Sequence, residues 1–328
     1  MQEKKSFSER LLLFTEMVLT RRRAKRRIQK EIQRAKNPIV DWIEAFLWAA
    51  GVVLLLNQYL FQAYQIPSGS MIDTLLIGDR IFVNKLIYGP ELLPGFIKLP
   101  SPIKPQRNEV IIFENPSYIS RGPLFDVVQR VLYMITFSLV DIDRDEQGNP
   151  KPHFLIKRAV GMAGDTLRME KGEMKILFPG ETQWVEERQY IKQNGMEHPI
   201  NRLMDVTAYP ALYAAGYAMA YSDLGLEVPS SLVQKMQALR SLQYVDYLAR
   251  EQARLEVLRS AFPQDQRYGA LANQYTMGWY VPEGRIFPMG DNRDNSRDAR
   301  YFGPVRLQKV LGKGAFKYWP LSRIGIIR

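Results

Sequence analysis

The segment Trp42–Phe61, WIEAFLWAAGVVLLLNQYLF, decides how the rest of this 328-residue chain is read. As an α-helix its 20 residues rise ~30 Å at ~1.5 Å each, enough to cross the hydrocarbon layer of a bilayer. Its one charged residue, Glu44, lies near an end where it can reach the headgroups, and Trp42, Tyr59 and Phe61 suit the two interfaces. A buried core helix is the competing reading, and both length and flanking charge argue against it. The run is too long for the apolar centre of a cleaved leader and lacks a small-x-small exit, so an uncleaved anchor is expected over residues 39–64.

Upstream lies a basic arm, residues 1–38. Met1 to Lys36 hold 12 Lys and Arg against 4 Glu, a net +8 of the chain's +11, which leaves +3 for everything beyond. A nucleic-acid-binding domain would carry such charge on its fold. Here it is concentrated in Arg21-Arg22-Arg23 and Lys25-Arg26-Arg27, directly before the apolar run. The positive-inside rule then places the arm in the cytoplasm and everything after Tyr64 on the other side. Within the arm, Leu11–Leu19 is apolar but short, and Thr15 and Glu16 interrupt it, as in an interfacial helix.

Downstream the pattern changes. Composition, with 46% hydrophobic and 24% charged residues, is that of a folded domain. Short β-rich runs, Arg80–Val83, Val110–Phe113 and Phe154–Ile156, are separated by turn signals such as Tyr88-Gly89-Pro90 and Asn115-Pro116. Thr166–Glu170 and Glu173–Leu177 about Lys171-Gly172 read as a hairpin. Leu124–Val140 is apolar but carries Asp126, Gln129 and Arg130; it reads as an amphipathic helix on the protein or membrane surface, not a second crossing. From Ser230 to Ala261, Leu232, Met236, Leu239, Leu242, Val245 and Leu248 recur at helical spacing behind a Ser230-Ser231 cap, with Lys235, Arg240, Asp246 and Arg250 opposite. The domain expected for residues 65–328 is therefore mainly β, with a helical insertion at about 178–278.

The chain has no cysteine and only His153 and His198, which leaves no Cys-based site and no evident Ser-His-Asp triad. Its chemistry is sought in Ser, Lys, Arg and Asp. Just after the apolar run comes Ile66-Pro67-Ser68-Gly69-Ser70-Met71, then Thr74-Leu75; a serine on a tight turn can expose its hydroxyl and offer its own N–H to an attacked carbonyl. Ile156-Lys157-Arg158-Ala159-Val160-Gly161 sets a lysine on an apolar strand, where desolvation disfavours the ammonium form. A neutral lysine can serve as base toward serine. Third is Met289-Gly290-Asp291-Asn292-Arg293-Asp294-Asn295-Ser296, continuing through Asp298 and Arg300. Asp291 to Asn295 read mostly as a solvated, salt-bridged loop that presents Ser296, and Arg158 as a structural partner for a carboxylate.

Together these three blocks resemble the bacterial type I signal peptidases, a Ser–Lys protease family. Smaller matches are Gly78-Asp79-Arg80, Val281-Pro282-Glu283-Gly284 and Tyr318-Trp319-Pro320. The resemblance implies a catalytic domain of coiled antiparallel sheets behind one transmembrane helix. It implies Ser70 as nucleophile, Lys157 as general base, Ser68 with the Ser70 N–H as oxyanion hole, Ser296 as the lysine-orienting hydroxyl, and Asp298–Arg300 as a structural ion pair. Ile66, Leu75 and Ile156 are expected to wall shallow pockets for small side chains. Two positions depart from the pattern, Asp73 and Ala163, where the family usually or often has proline. The resemblance further implies no metal or organic cofactor. Its implied partners are preprotein signal peptides, membrane lipid and the export machinery, with no nucleic acid. It places the chain as a single-pass protein of the cytoplasmic membrane, its catalytic domain on the periplasmic side. The competing reading outside the enzyme class is a catalytically silent homologue serving as a membrane scaffold.

Overall fold

A computed structural model describes residues 7–35, 37–91, 98–149 and 151–327; Met1 to Ser6 and Lys36 of the basic arm lie outside them. The chain divides into two compact units, Met1–Leu54 and Leu55–Arg328. In the first, helix α1 runs Phe7–Ala35 and α2 begins at Pro38. The short helix expected at Leu11–Leu19 is one stretch of the 29-residue α1, because no Gly or Pro occurs between Phe7 and Ala35 to stop it. Asn37 then accepts a hydrogen bond from Ile39 N–H at 3.0 Å, and Pro38 supplies a preset φ for the first turn of α2. Helix α2, Pro38–Tyr59, is long and apolar enough to cross a membrane, and Trp42, Phe46, Leu47 and Trp48 along it are all exposed.

The second unit is built on a curled antiparallel sheet. Its strands are β1 (Phe61–Gln65), β2 (Arg80–Asn84), β3 (Val110–Glu114), β4 (Phe154–Gly161), β9 (Arg285–Met289), β10 (Val305–Arg306), β11 (Val310–Trp319) and β12 (Gly325–Ile326). A smaller sheet joins β5 (Thr166–Glu170), β6 (Glu173–Leu177), β7 (Val185–Glu186) and β8 (Trp279–Tyr280). The large sheet runs β1-β2-β11-β3-β4-β9-β10, with β12 on the side of β11. Each β-rich run read from the sequence forms a strand, and the hairpin pairs Thr166 with Leu177 through Glu170 with Glu173. Strand β11 shifts register at Val310/Gly312, Gly314/Phe316 and Lys317/Trp319. Such bulges bend and twist a strand, which lets the sheet curl into a half-barrel.

Curling brings the inner faces together over one core in which Tyr64, Ile66, Met71, Leu75, Ile81 and Val83 pack with Val110, Ile112, Leu311 and Ile327. Helix α3, Pro123–Ile135, packs its Tyr133 against this core. It is shorter than the Leu124–Val140 stretch expected, because Phe137 and Ser138 take positive φ (49° and 64°) and turn the chain away.

Five further helices, α4 (Glu187–Gln193), α5 (Tyr209–Asp223), α6 (Ser230–Met236), α7 (Tyr247–Ala261) and α8 (Gln266–Met277), lie between the two strands of the small sheet at Val185–Glu186 and Trp279–Tyr280, and a short α9 (Ala299–Phe302) follows β9. The single helical stretch expected from Ser230 to Ala261 is broken after Ser241. There Asp246 becomes a cap, accepting from Leu248 N–H and Ala249 N–H, and a buried acceptor for Tyr209 Oη at 2.8 Å. It is not on a solvated face as its spacing suggested, since capping and burial claim its carboxylate. Likewise Pro229, not a serine side chain, precedes α6.

The insertion grips the loop after β9. Arg293 meets Glu187 in a bidentate pair at 2.5 and 2.6 Å, both side chains 2% exposed. Asn201 N–H donates to the Asp291 carbonyl and Arg293 N–H to that of Asn201, while Arg202 and Leu203 N–H bind Asp294. We expect Glu187→Ala, which strands the Arg293 charge in the interior, to cost about 3–5 kcal/mol. Removing both charges as Glu187→Met with Arg293→Met should cost much less. Urea unfolding of the two variants checks this; equal destabilisation would mean the pair is not what holds the loop.

Candidate active site

Two backbone features set the serine in place. Gly69–Met71 form a single 3₁₀ turn shortly after β1, and Asn292 clamps it: its N–H donates to the Ser70 carbonyl at 3.0 Å and its Nδ2 to the Gly69 carbonyl at 2.9 Å. Gly290 passes so close that a Cβ there would lie 2.5 Å from the Ser70 carbonyl oxygen and 2.3 Å from Ser296 Oγ. Only glycine fits that crossing. Ser68 sits at the start of the turn, extended and exposed, while Ser70 is buried at 8% exposure.

Strand β4 carries Lys157 to this turn. Its Nζ lies 2.6 Å from Ser70 Oγ and 2.9 Å from the Ile156 carbonyl oxygen. Burial pushes the Lys157 ammonium down to about 8; Asp298 and Asp291 pull the other way but do not offset the loss of water. The shift brings the Lys157 titration down toward neutral pH with a serine hydroxyl within hydrogen-bond reach.

Around the pair lies a shell of buried charge. Arg158 Nε and Nη2 meet the two oxygens of Asp291 at 2.8 and 2.7 Å, and Thr74 Oγ1 donates to the same carboxylate at 2.6 Å. Arg158 is thus the carboxylate partner its position suggested. Asp298 and Arg300 pair at 2.9 and 3.0 Å, both buried. Burial alone would raise the Asp298 carboxyl, but the Arg300 charge and its hydrogen bonds outweigh it and hold the carboxyl below the usual range. The same carboxylate accepts from Arg300 N–H at 3.2 Å and from Gly290 N–H at 3.0 Å, and the latter fixes the glycine crossing.

Ile66 and Leu75 are buried at 3% and 0% exposure in the main core, and Ile156 packs against the same cluster while keeping some exposure. Ser296 is buried next to the pair at 8% exposure, yet no hydrogen bond joins its hydroxyl to Lys157, whose Nζ takes Ser70 Oγ and Ile156 O instead. Asp291, Asn292 and Arg293, read from the sequence as a solvated loop, are 0%, 1% and 2% exposed. Their partners, Arg158, Gly69 and Glu187, lie 133, 223 and 106 residues away in sequence, so no local signal marks them. The clamp made by Thr74 and Asn292 escaped the sequence reading for the same reason. Asp73, at a usual proline position, takes φ 76°, which proline's ring forbids.

Comparison with known proteins agrees with this architecture. The sequence profile described as "Signal peptidase, peptidase S26" matches residues 39–319. Signal peptidase I of Haemophilus influenzae is 26% identical over 289 residues, 86% of this chain and 70% of that protein. The Pseudomonas aeruginosa signal peptidase I is 27% identical over 314 residues, covering 89% and 81% of the two chains. That of Aquifex aeolicus is 25% identical over 282 residues, covering 84% and 82%. With a curled antiparallel sheet, an apolar helix ahead of it and a profile match over most of its length, the chain belongs to the signal peptidase family, peptidase S26.

Proposed function

We propose that this chain is a membrane-anchored endopeptidase that removes N-terminal signal peptides from exported preproteins by a Ser70–Lys157 mechanism. One observation carries the reading: the buried, deprotonation-prone Lys157 Nζ lies 2.6 Å from Ser70 Oγ. On this reading α2 spans the cytoplasmic membrane in lipid, the basic arm stays in the cytoplasm, and the second unit works on the opposite face.

The cleavage segment enters as an extended strand between the outer edge of β1 and the part of β4 ahead of Arg158, where β4 has no pairing with β9. Neutral Lys157 takes the proton from Ser70 Oγ as that oxygen attacks the scissile carbonyl carbon. The tetrahedral oxyanion is held by the Ser70 N–H and the Ser68 hydroxyl. Collapse breaks the C–N bond, and the Lys157 ammonium gives its proton to the departing amine. A water then loses a proton to the same lysine and attacks the acyl-enzyme, releasing the leader and restoring Ser70. Ser296 orients Lys157 as the substrate backbone takes over the Ile156 carbonyl.

Ser70→Ala and Lys157→Met should each lower turnover of a labelled preprotein by roughly 10⁴-fold, and the double variant should be no worse than the singles. Substantial cleavage by either single variant would sink the mechanism. Because the active form is the unprotonated lysine, kcat/KM should rise with pH through about 8 and level off above it. A flat or falling profile would assign the base to another group.

Ile66, Leu75 and Ile156 wall the site with branched chains, so alanine should be favoured at the residue before the cut and at the third before it. A large side chain there must push the walls apart at roughly 1–3 kcal/mol, a penalty of about 5- to 150-fold. Ile156→Ala should relax the preference without abolishing cleavage. Mass spectrometry of peptides varied at those two positions reads the result, and equal cleavage after alanine and phenylalanine would remove these residues from the pocket.

A further inference from the structure

Helix α3 is amphipathic with its faces reversed. Its polar residues Asp126, Gln129, Arg130 and Tyr133 recur at helical spacing, and all four are turned into the fold. Asp126 accepts from Tyr118 and Ser120, Gln129 donates to Asp141 at 2.9 Å, Arg130 pairs with Glu91 and Glu114, and Tyr133 Oη meets Gln65 N–H. The opposite row is aliphatic and open: Leu124 is 78% exposed, Val128 45% and Leu132 36%, with Leu139 at 64% just beyond. A helix on a water-facing surface shows the opposite arrangement.

What covers this row follows from where the helix is tied. Gln58, in the last turn of α2, donates to the Glu91 carbonyl at 2.8 Å, and the Glu91 carboxylate is the partner of Arg130. Gln65, bonded to Tyr133, ends the strand that begins two residues after α2 stops. The aliphatic row therefore belongs to an element fastened to the very end of the apolar helix, where a bilayer's surface would lie. We propose that α3 is an interfacial helix whose row Leu124, Val128 and Leu132 is seated in the headgroup–acyl boundary of the membrane that α2 spans. The inference rests on the anchor reading above and adds to it a second lipid contact, made by the catalytic unit itself.

The chain has no cysteine, so single labels are clean. Leu47→Cys in α2, Val128→Cys and Leu132→Cys in α3, and Leu226→Cys, an exposed apolar site in the insertion, would each carry an environment-sensitive fluorophore. The full chain is reconstituted in phosphatidylcholine–phosphatidylglycerol vesicles. We expect nitroxide lipids to quench positions 47, 128 and 132, with shallow nitroxides more effective at the last two, and aqueous iodide to quench 226. Iodide quenching at 128 and 132 beside lipid quenching at 47 overturns this inference and leaves the anchor standing. Iodide quenching at 47 overturns the anchor reading, and the inference with it. Labels at 128 and 132 shielded from both quenchers would mean that protein covers the row, which also overturns it.

The inner face of α3 carries a second inference independently. Along β1 the even residues face β2, since Lys85 N–H donates to the Leu60 carbonyl and Ile66 N–H to that of Asp79. The outward amides of Ala63 and Gln65 are left to side chains: Asn57 Oδ1 and Tyr133 Oη accept from them, each at 3.4 Å. Tyr133 also packs beside Tyr64 and the core that holds Phe154 and Ile156 of β4. The geometry points to Tyr133 as a stand-in for a substrate carbonyl that closes the upstream part of the β1–β4 groove until a leader strand displaces it. Tyr133→Phe, which deletes only the hydroxyl, should then lower KM for a preprotein by about 2- to 10-fold with kcat and its pH profile unchanged. An unchanged or raised KM, or a change confined to kcat, would show that the hydroxyl does not compete with substrate.

Discussion

The buried pair of Arg158 and Asp291 is the contact on which the rest of the site depends. Arg158 follows Lys157 on β4, Asp291 follows the Gly290 crossing, and Thr74, which donates to Asp291, closes the serine segment. One carboxylate thus binds three separate stretches of chain, and Arg158 reaches a fourth through the Asn108 carbonyl at 2.7 Å. Two buried charges are costly to remove from water, and their attraction offsets that cost only when the geometry is close and every remaining donor is used. Here that condition sets position more than it adds stability. If Asp291 moves, Asn292 moves with it, and Asn292 is the clamp on the Ser70 turn.

Burial is what pushes the Lys157 ammonium down in a neighbourhood rich in carboxylates. Asp291 and Asp298 would each stabilise an ammonium, but both are already engaged by arginines at close range. Both carboxylates still pull the Lys157 ammonium up and Arg300 opposes them, but the loss of water is the largest effect and prevails.

The two additions to the sheet act on the site from different sides. The helical insertion holds the loop carrying Asn292 through Glu187 and Arg202. Helix α3 is tied to β1 through Tyr133 and Gln65, turning its polar stripe inward and its aliphatic row outward. The first is tied to Arg293 and Asp294, the second to Gln65 of β1.

By itself the sequence determined the elements whose signal is local. The apolar helix follows from an unbroken hydrophobic run, the strands and the Lys171-Gly172 hairpin from period and turn chemistry, and the serine and lysine from three short blocks in order. Long-range pairing was beyond it. Asp291, Asn292 and Arg293 look solvated in a row of polar letters and become core only because Arg158, Gly69 and Glu187 arrive from over a hundred residues away. Asp246 reads as a surface charge and becomes a buried cap. The spacing of α3 declared an amphipathic helix but could not say which face looks inward. Periodicity records only that two faces differ, and the direction is set by the partners that the curled sheet brings to one of them.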